Sequence, residues 1–149
     1  MSVIGADLIG DNLYLAEDHP SGVRISQVPS TQLAALSARH QVRLNIPLER
    51  LTIRYHPSDA AMEERLLKEV ALANLGTPYW GFLEGAEGER KLYLIVGMGD
   101  PPARVRPVPR FLSVIKILEA EEGVVVWSDP VEHLVLVVER GFPRQIRGV

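Results

Sequence analysis

The stretch that most constrains the fold is Val3-Ile4-Gly5-Ala6-Asp7-Leu8-Ile9-Gly10-Asp11-Asn12-Leu13-Tyr14-Leu15-Ala16-Glu17. An apolar run enters an acidic, glycine-containing turn, and a second apolar run leaves it. Asp11-Asn12 is the expected turn pair, since both side chains tolerate tight-turn geometry. A run as apolar as Val3 to Ile9 reads as a strand buried on both faces. Leu13-Tyr14-Leu15 continues as the return strand. Such a hairpin collects carboxylates and backbone amides at its tip, an arrangement that faces a nucleotide phosphate in some folds. His19-Pro20-Ser21-Gly22 is a further turn. Val23 to Val28 then alternates apolar and polar residues as a half-exposed strand, so the chain opens as a meander.

Pro29-Ser30-Thr31 starts a helix with Ser30 or Thr31 as N-cap. Leu33, Ala34, Leu36 and Ala38 carry its stripe to about His40. Leu48 to Tyr55 reads as a strand with Leu51, Ile53 and Tyr55 on one face. Ser58 caps a second helix whose buried face is Leu66, Leu67, Val70, Ala71 and Leu75, and Gly76 ends it. Tyr79 to Leu83 and Lys91 to Met98 read as a hairpin. Residues 99–109, with Gly99, Pro101, Pro102, Pro107 and Pro109, read as a stiff connector. Phe111 to Glu121 is a short helix. Val124 to Trp127 reads as a buried strand, and Leu134 to Val138 as another that turns at Arg140-Gly141. The order is mixed α/β, with a mixed sheet.

At 149 residues, 46% hydrophobic and 23% charged, the chain has ordinary globular composition. It holds no apolar run of about 18 residues, so no direct membrane insertion is expected. The N-terminus lacks the basic region and longer apolar block of a secretory signal. With no cysteine there is no disulfide framework and no thiolate chemistry, which suits a cytoplasmic location. A net charge of −3 excludes a nucleic-acid binder held by bulk electrostatics. Phe142 to Val149 reads as the middle of an element, so a longer native chain is expected.

Three stretches carry a family resemblance. Gly5 to Glu17 has the length and apolar pattern of an actin-like opening hairpin. Leu67-Lys68-Glu69-Val70 through Pro78 to Gly85 is similar to a helix that runs into a short proline-bearing segment and a strand. Val135-Leu136-Val137-Val138-Glu139-Arg140-Gly141-Phe142-Pro143-Arg144 resembles the hairpin that opens the second half. Together they resemble the first part of the PilM-like and GspL-like cytoplasmic proteins of type IV pilus and type II secretion assembly. The resemblance implies an actin-like, ribonuclease H-like first half. Its core is expected at about 1–78 and 123–149, with a small inserted βα subdomain at about 79–122.

The family's first phosphate loop runs Gly-x-Asp-x-Gly. Gly5 and Asp7 match it, but Ile9 stands at the second glycine, where backbone must approach phosphate closely and often with positive φ. Gly10 comes one residue late. Trp127-Ser128-Asp129-Pro130 stands where the second phosphate loop is expected and lacks Asp-x-Gly. The resemblance therefore implies a non-catalytic cytoplasmic scaffold without a required cofactor. Its partner would be the cytoplasmic tail of an inner-membrane protein, with a homodimer possible through an open sheet edge. The alternatives are a nucleotide-binding, actin-like ATPase that holds ATP and Mg through Asp7, Gly10 and Asp11, or a ribonuclease H-like metal nuclease using Asp7 with Glu63 or Glu64.

Other suggestive groups have ordinary readings beside functional ones. Asp7 also suits a strand-end carboxylate bonded to turn amides. His19, His40, His56 and His133 form no pair at ligand spacing. Ser128, Asp129 and His133 are triad residue types without a nucleophile elbow. Arg104, Arg106 and Arg110 form a basic connector that suits either an acidic peptide, a phosphate or a solvated face. Tyr79 and Trp80, in the densest aromatic patch, suit either partner binding or a core.

Overall fold

The computed structural model describes residues 2–56, 79–84, 90–95 and 101–149, together with Glu64 and Lys68, both helical. The rest of the expected helix from Ser58 to Leu75 lies outside the described residues. β1 (Val3–Ile9), β2 (Asn12–His19) and β3 (Gly22–Pro29) form the antiparallel meander. The turn sits one residue earlier than Asp11-Asn12. Ile9 faces Asn12, leaving Gly10-Asp11 as a two-residue turn. Gly10 holds φ at 58°, a conformation that glycine adopts without the Cβ penalty. β1 is buried on one face rather than two. Ile4, Ala6 and Leu8 are buried, while Gly5, Asp7 and Ile9 are half-buried.

A 3₁₀ turn at Ser30–Gln32 precedes a short α1 (Leu33–Ser37), and neither Ser30 nor Thr31 supplies a side-chain cap. The helix ends at Ser37, short of the expected His40, and after a turn comes β4 (Gln41–Ile46), in a stretch where the sequence suggests no element. Val42, Leu44 and Ile46 alternate with polar residues and are almost fully buried. β4 lies parallel to β1, with Ile4 opposite Val42 and Ala6 opposite Leu44. Residues 48–50 form a 3₁₀ turn, so the next strand, β5, covers only Leu51–His56. It pairs with β7 (Arg90–Ile95), which also pairs with β6 (Tyr79–Glu84), the expected hairpin. These strands make a separate sheet of order β5-β7-β6.

The proline-rich connector contains a strand, β8 (Val105–Pro109), parallel to β4. It completes a five-stranded sheet of order β3-β2-β1-β4-β8. Pro107 and Pro109 are tolerated because β8 lies at the sheet edge, where a missing N–H breaks no inner ladder. The boundaries expected near residues 79 and 122 therefore do not follow the sheets. β5 belongs to the inserted sheet, and β8 belongs to the main one.

α2 (Arg110–Ile117) leaves β8 directly and buries Phe111, Val114 and Ile115. A second meander follows, β9 (Glu122–Ser128), β10 (His133–Glu139) and β11 (Phe142–Gly148), in the order β11-β10-β9. Its second hairpin turns at Arg140-Gly141, as expected, with φ of 53° and 74°. β9 is not a buried strand. It is an edge, with Val124 67% and Val126 75% exposed. One apolar cluster joins both meanders. It runs from Ile4, Leu13 and Leu44 through Phe111 and Ile115 to Leu134, Leu136 and Phe142.

Candidate functional site

Both meanders bring carboxylates to the same guanidinium. Asp7 stands on β1, three residues before the Gly10 turn. Asp129 and Glu132 bound the β9–β10 turn, which Ser128 and His133 close on either side. Arg110 opens α2 and reaches all three carboxylates. Its Nε lies 3.3 Å from Asp7 Oδ2, and its Nη1 lies 2.6 Å from Asp129 Oδ2 and 3.3 Å from Glu132 Oε1. The Arg110 side chain is only 13% exposed.

Asp129 organises its own turn. Oδ1 accepts from the amides of Val131 and Glu132 at 2.8 and 3.0 Å. Oδ2 accepts from the Trp127 indole at 2.6 Å. Burial pushes this carboxyl upward, but the indole, the Glu132 amide, Arg110 and the Val131 amide outweigh it and hold it at about 2. Burial also opposes the Arg110 charge. The hydrogen bond to Asp129 and the negative charges of Asp7 and Asp129 reverse that, so its pKa is raised. Glu132 Oε2 accepts from the Leu48 amide at 2.9 Å, which ties the turn to the chain just past β4. Ser113 Oγ donates to Asn45 Oδ1 at 3.0 Å. Asn45 in turn pairs with Asp7 across the β1–β4 ladder.

The structure thus assembles Asp7, Arg110, Asp129 and Glu132. Gly10 and Asp11 form the turn itself, and the Asp11 carbonyl accepts from the Ser30 amide at 2.8 Å. Asp7 bonds to a guanidinium rather than to turn amides. Arg110 belongs to this network rather than to a solvated face. Ser128 Oγ and His133 Nδ1 meet at 2.6 Å, but Asp129 is committed to Trp127 and Arg110, so no triad forms. Glu64 is exposed and Glu63 lies outside the described residues. Among the described residues, no group of three or more His, Asp or Glu is arranged to hold a metal ion. Tyr79 and Trp80 pair with Ile95 and Leu94 in the inserted sheet, and their side chains lie outside the described residues.

No protein-family model matches the chain, and no curated protein matches it. Solved structures do. One is the cytoplasmic domain of EpsL, an inner membrane component of the type II secretion system of Vibrio cholerae. It superposes with a TM-score of 0.63 at 12% identity, covering 99% of this chain and 69% of that one. Another is a Bacteroides thetaiotaomicron protein of actin-like ATPase fold and unknown function. Its TM-score is 0.57 at 9% identity, with the same coverage. The fold is actin-like. Arg110 joins β1, through Asp7, to the β9–β10 turn, through Asp129 and Glu132.

Proposed function

We propose that this chain is a non-catalytic actin-like scaffold. It would work in the cytoplasm, held at the inner membrane by docking the cytoplasmic tail of a membrane protein in a secretion or pilus machine. The observation that carries the reading is Arg110 bonded to Asp7 of β1 and to both carboxylates of the β9–β10 turn. A Mg-nucleotide needs free anionic ligands for the metal and donors for phosphate. Arg110 already engages Asp7, and Ile9 replaces the glycine that phosphate approach requires. Both features count against that cofactor. The likeness to a cytoplasmic domain of an inner-membrane secretion component supports the choice of machine. Thermal melting with millimolar Mg-ATP tests the reading, because a ligand that binds only the native state must stabilise it. We expect no shift. A saturable rise in melting temperature, with ATP turnover and no affinity for tail peptides, would replace the scaffold by an ATPase.

A further inference from the structure

Three arginines meet at the opposite end of the main sheet from the Arg110 network. Arg43 on β4 and Arg106 on β8 are direct neighbours in the parallel ladder. Arg104 enters β8 beside them. They line an open cavity of about 410 Å³ together with Val3, Gln41, Val42 and Val105. Among the described residues, no acidic side chain lines it. Like charges side by side on adjacent strands repel, and here no carboxylate stands between them. Arg43 Nε is buried with no hydrogen-bond partner among the described residues. Arg104 donates to the Ala38 carbonyl, at 3.3 Å, and holds φ at 70°. A non-glycine residue in the left-handed region costs free energy and recurs at binding sites. Three unfavourable features converge on one concave surface of a chain whose net charge is −3.

We propose that this cavity is a docking site for an acidic peptide segment, whose carboxylates bridge Arg43, Arg104 and Arg106. Planar guanidinium forks match carboxylates in bidentate geometry. Val3, 62% exposed at the rim of the cavity, suits an apolar side chain beside the acids. An anionic membrane surface is the weaker fit. Such surfaces are held by clusters of about four to eight basic residues, and the chain's net charge opposes approach. The choice of a polypeptide rests on the scaffold reading, while the anion preference does not.

The test is fluorescence anisotropy of the whole chain with a labelled peptide of alternating Glu and Ala, with a Gln-for-Glu peptide as control. Flotation with phosphatidylglycerol vesicles runs alongside. We expect saturable, salt-sensitive binding of the Glu peptide and none of the Gln peptide. Arg106→Gln should weaken it roughly tenfold, the worth of one charge-assisted contact, and Arg43→Gln/Arg106→Gln further. Arg24→Gln, on exposed β3, should leave it unchanged. Arg106 is exposed, and Arg106→Gln should melt no lower than wild type, because it relieves repulsion. Equal binding of both peptides, wild-type affinity in the arginine variants, or vesicle binding without peptide binding overturns the proposal. Glu-peptide binding through these arginines without affinity for any membrane-protein tail would sink the scaffold reading and leave this site standing.

Discussion

A cation in the first turn of a helix opposes the helix dipole, yet Arg110 is the first residue of α2, and no acid accompanies it there. That misplacement marks Arg110 as having specific partners, and it is visible only from the helix start in the structure, since the sequence places that start at Phe111. Which partners they are is not legible, because its bond to Asp7 spans 103 positions. Asp7 itself is legible as the acid near the first turn, and Asp129 as a turn residue. Removing one side of a buried ion-pair network strands the other. Arg110→Ala should therefore cost about 3 kcal/mol in urea unfolding. Arg110→Lys should recover only part, since a point charge cannot serve Asp7, Asp129 and Glu132 together. Asp129 also sets an acid limb. Its pKa falls from an ordinary 3.8 to about 2 on folding. The folded value is depressed, so the stabilisation is complete above pH 3.8 and is lost as pH falls through about 2. After solvent screening it amounts to at most about 2 kcal/mol. Asp129→Asn should remove that amount at neutral pH and flatten the stability curve between those two values. A steep limb surviving in the variant would assign acid unfolding to other carboxylates.

Elements differ in how openly the sequence declares them. The opening meander is legible because its apolar runs are clearly punctuated, with turns that carry Gly10, Asp11 and Gly22. β4 has a regular pattern, with Val42, Leu44 and Ile46 buried. It is hidden because it is short and falls between the expected end of α1 near His40 and the strand expected from Leu48. β8 is hidden by Pro107 and Pro109, which punctuate a sequence but only exclude inner strands. β9 misleads in the other direction. Its valines suggest burial, but a sheet edge leaves Val124 and Val126 to solvent. These positions give a matched pair of predictions. Leu44, fully buried on β4 of the main sheet, should cost about 3 kcal/mol as Leu44→Ala. Val126→Ala should cost under about 0.5 kcal/mol. Comparable losses at both sites, read from denaturant midpoints, would mean that β9 is covered rather than exposed.

For the whole molecule, the question is whether the Arg110 network or the apolar core makes the two meanders one cooperative unit. The network joins β1, α2, the β9–β10 turn and the chain after β4, so it touches both meanders and the helix between them. Its loss is worth about 3 kcal/mol. The core crosses the same boundary. Phe111 and Ile115 of α2 sit in one cluster with Ile4 and Leu44 on one side and Leu134, Leu136 and Phe142 on the other. Burying each such side chain contributes about 1.5–3 kcal/mol. The side chains at that boundary together therefore outweigh the network several-fold. Cooperativity should follow the apolar contacts. Arg110→Ala should lower the unfolding midpoint yet keep a single transition, with circular dichroism and Trp127-sensitive fluorescence coinciding. Phe111→Ala removes the apolar bridge and leaves the ion pairs, so it should separate the two signals. Two transitions in Arg110→Ala and one in Phe111→Ala would reverse the assignment, making the buried charges the joint that holds the two meanders together.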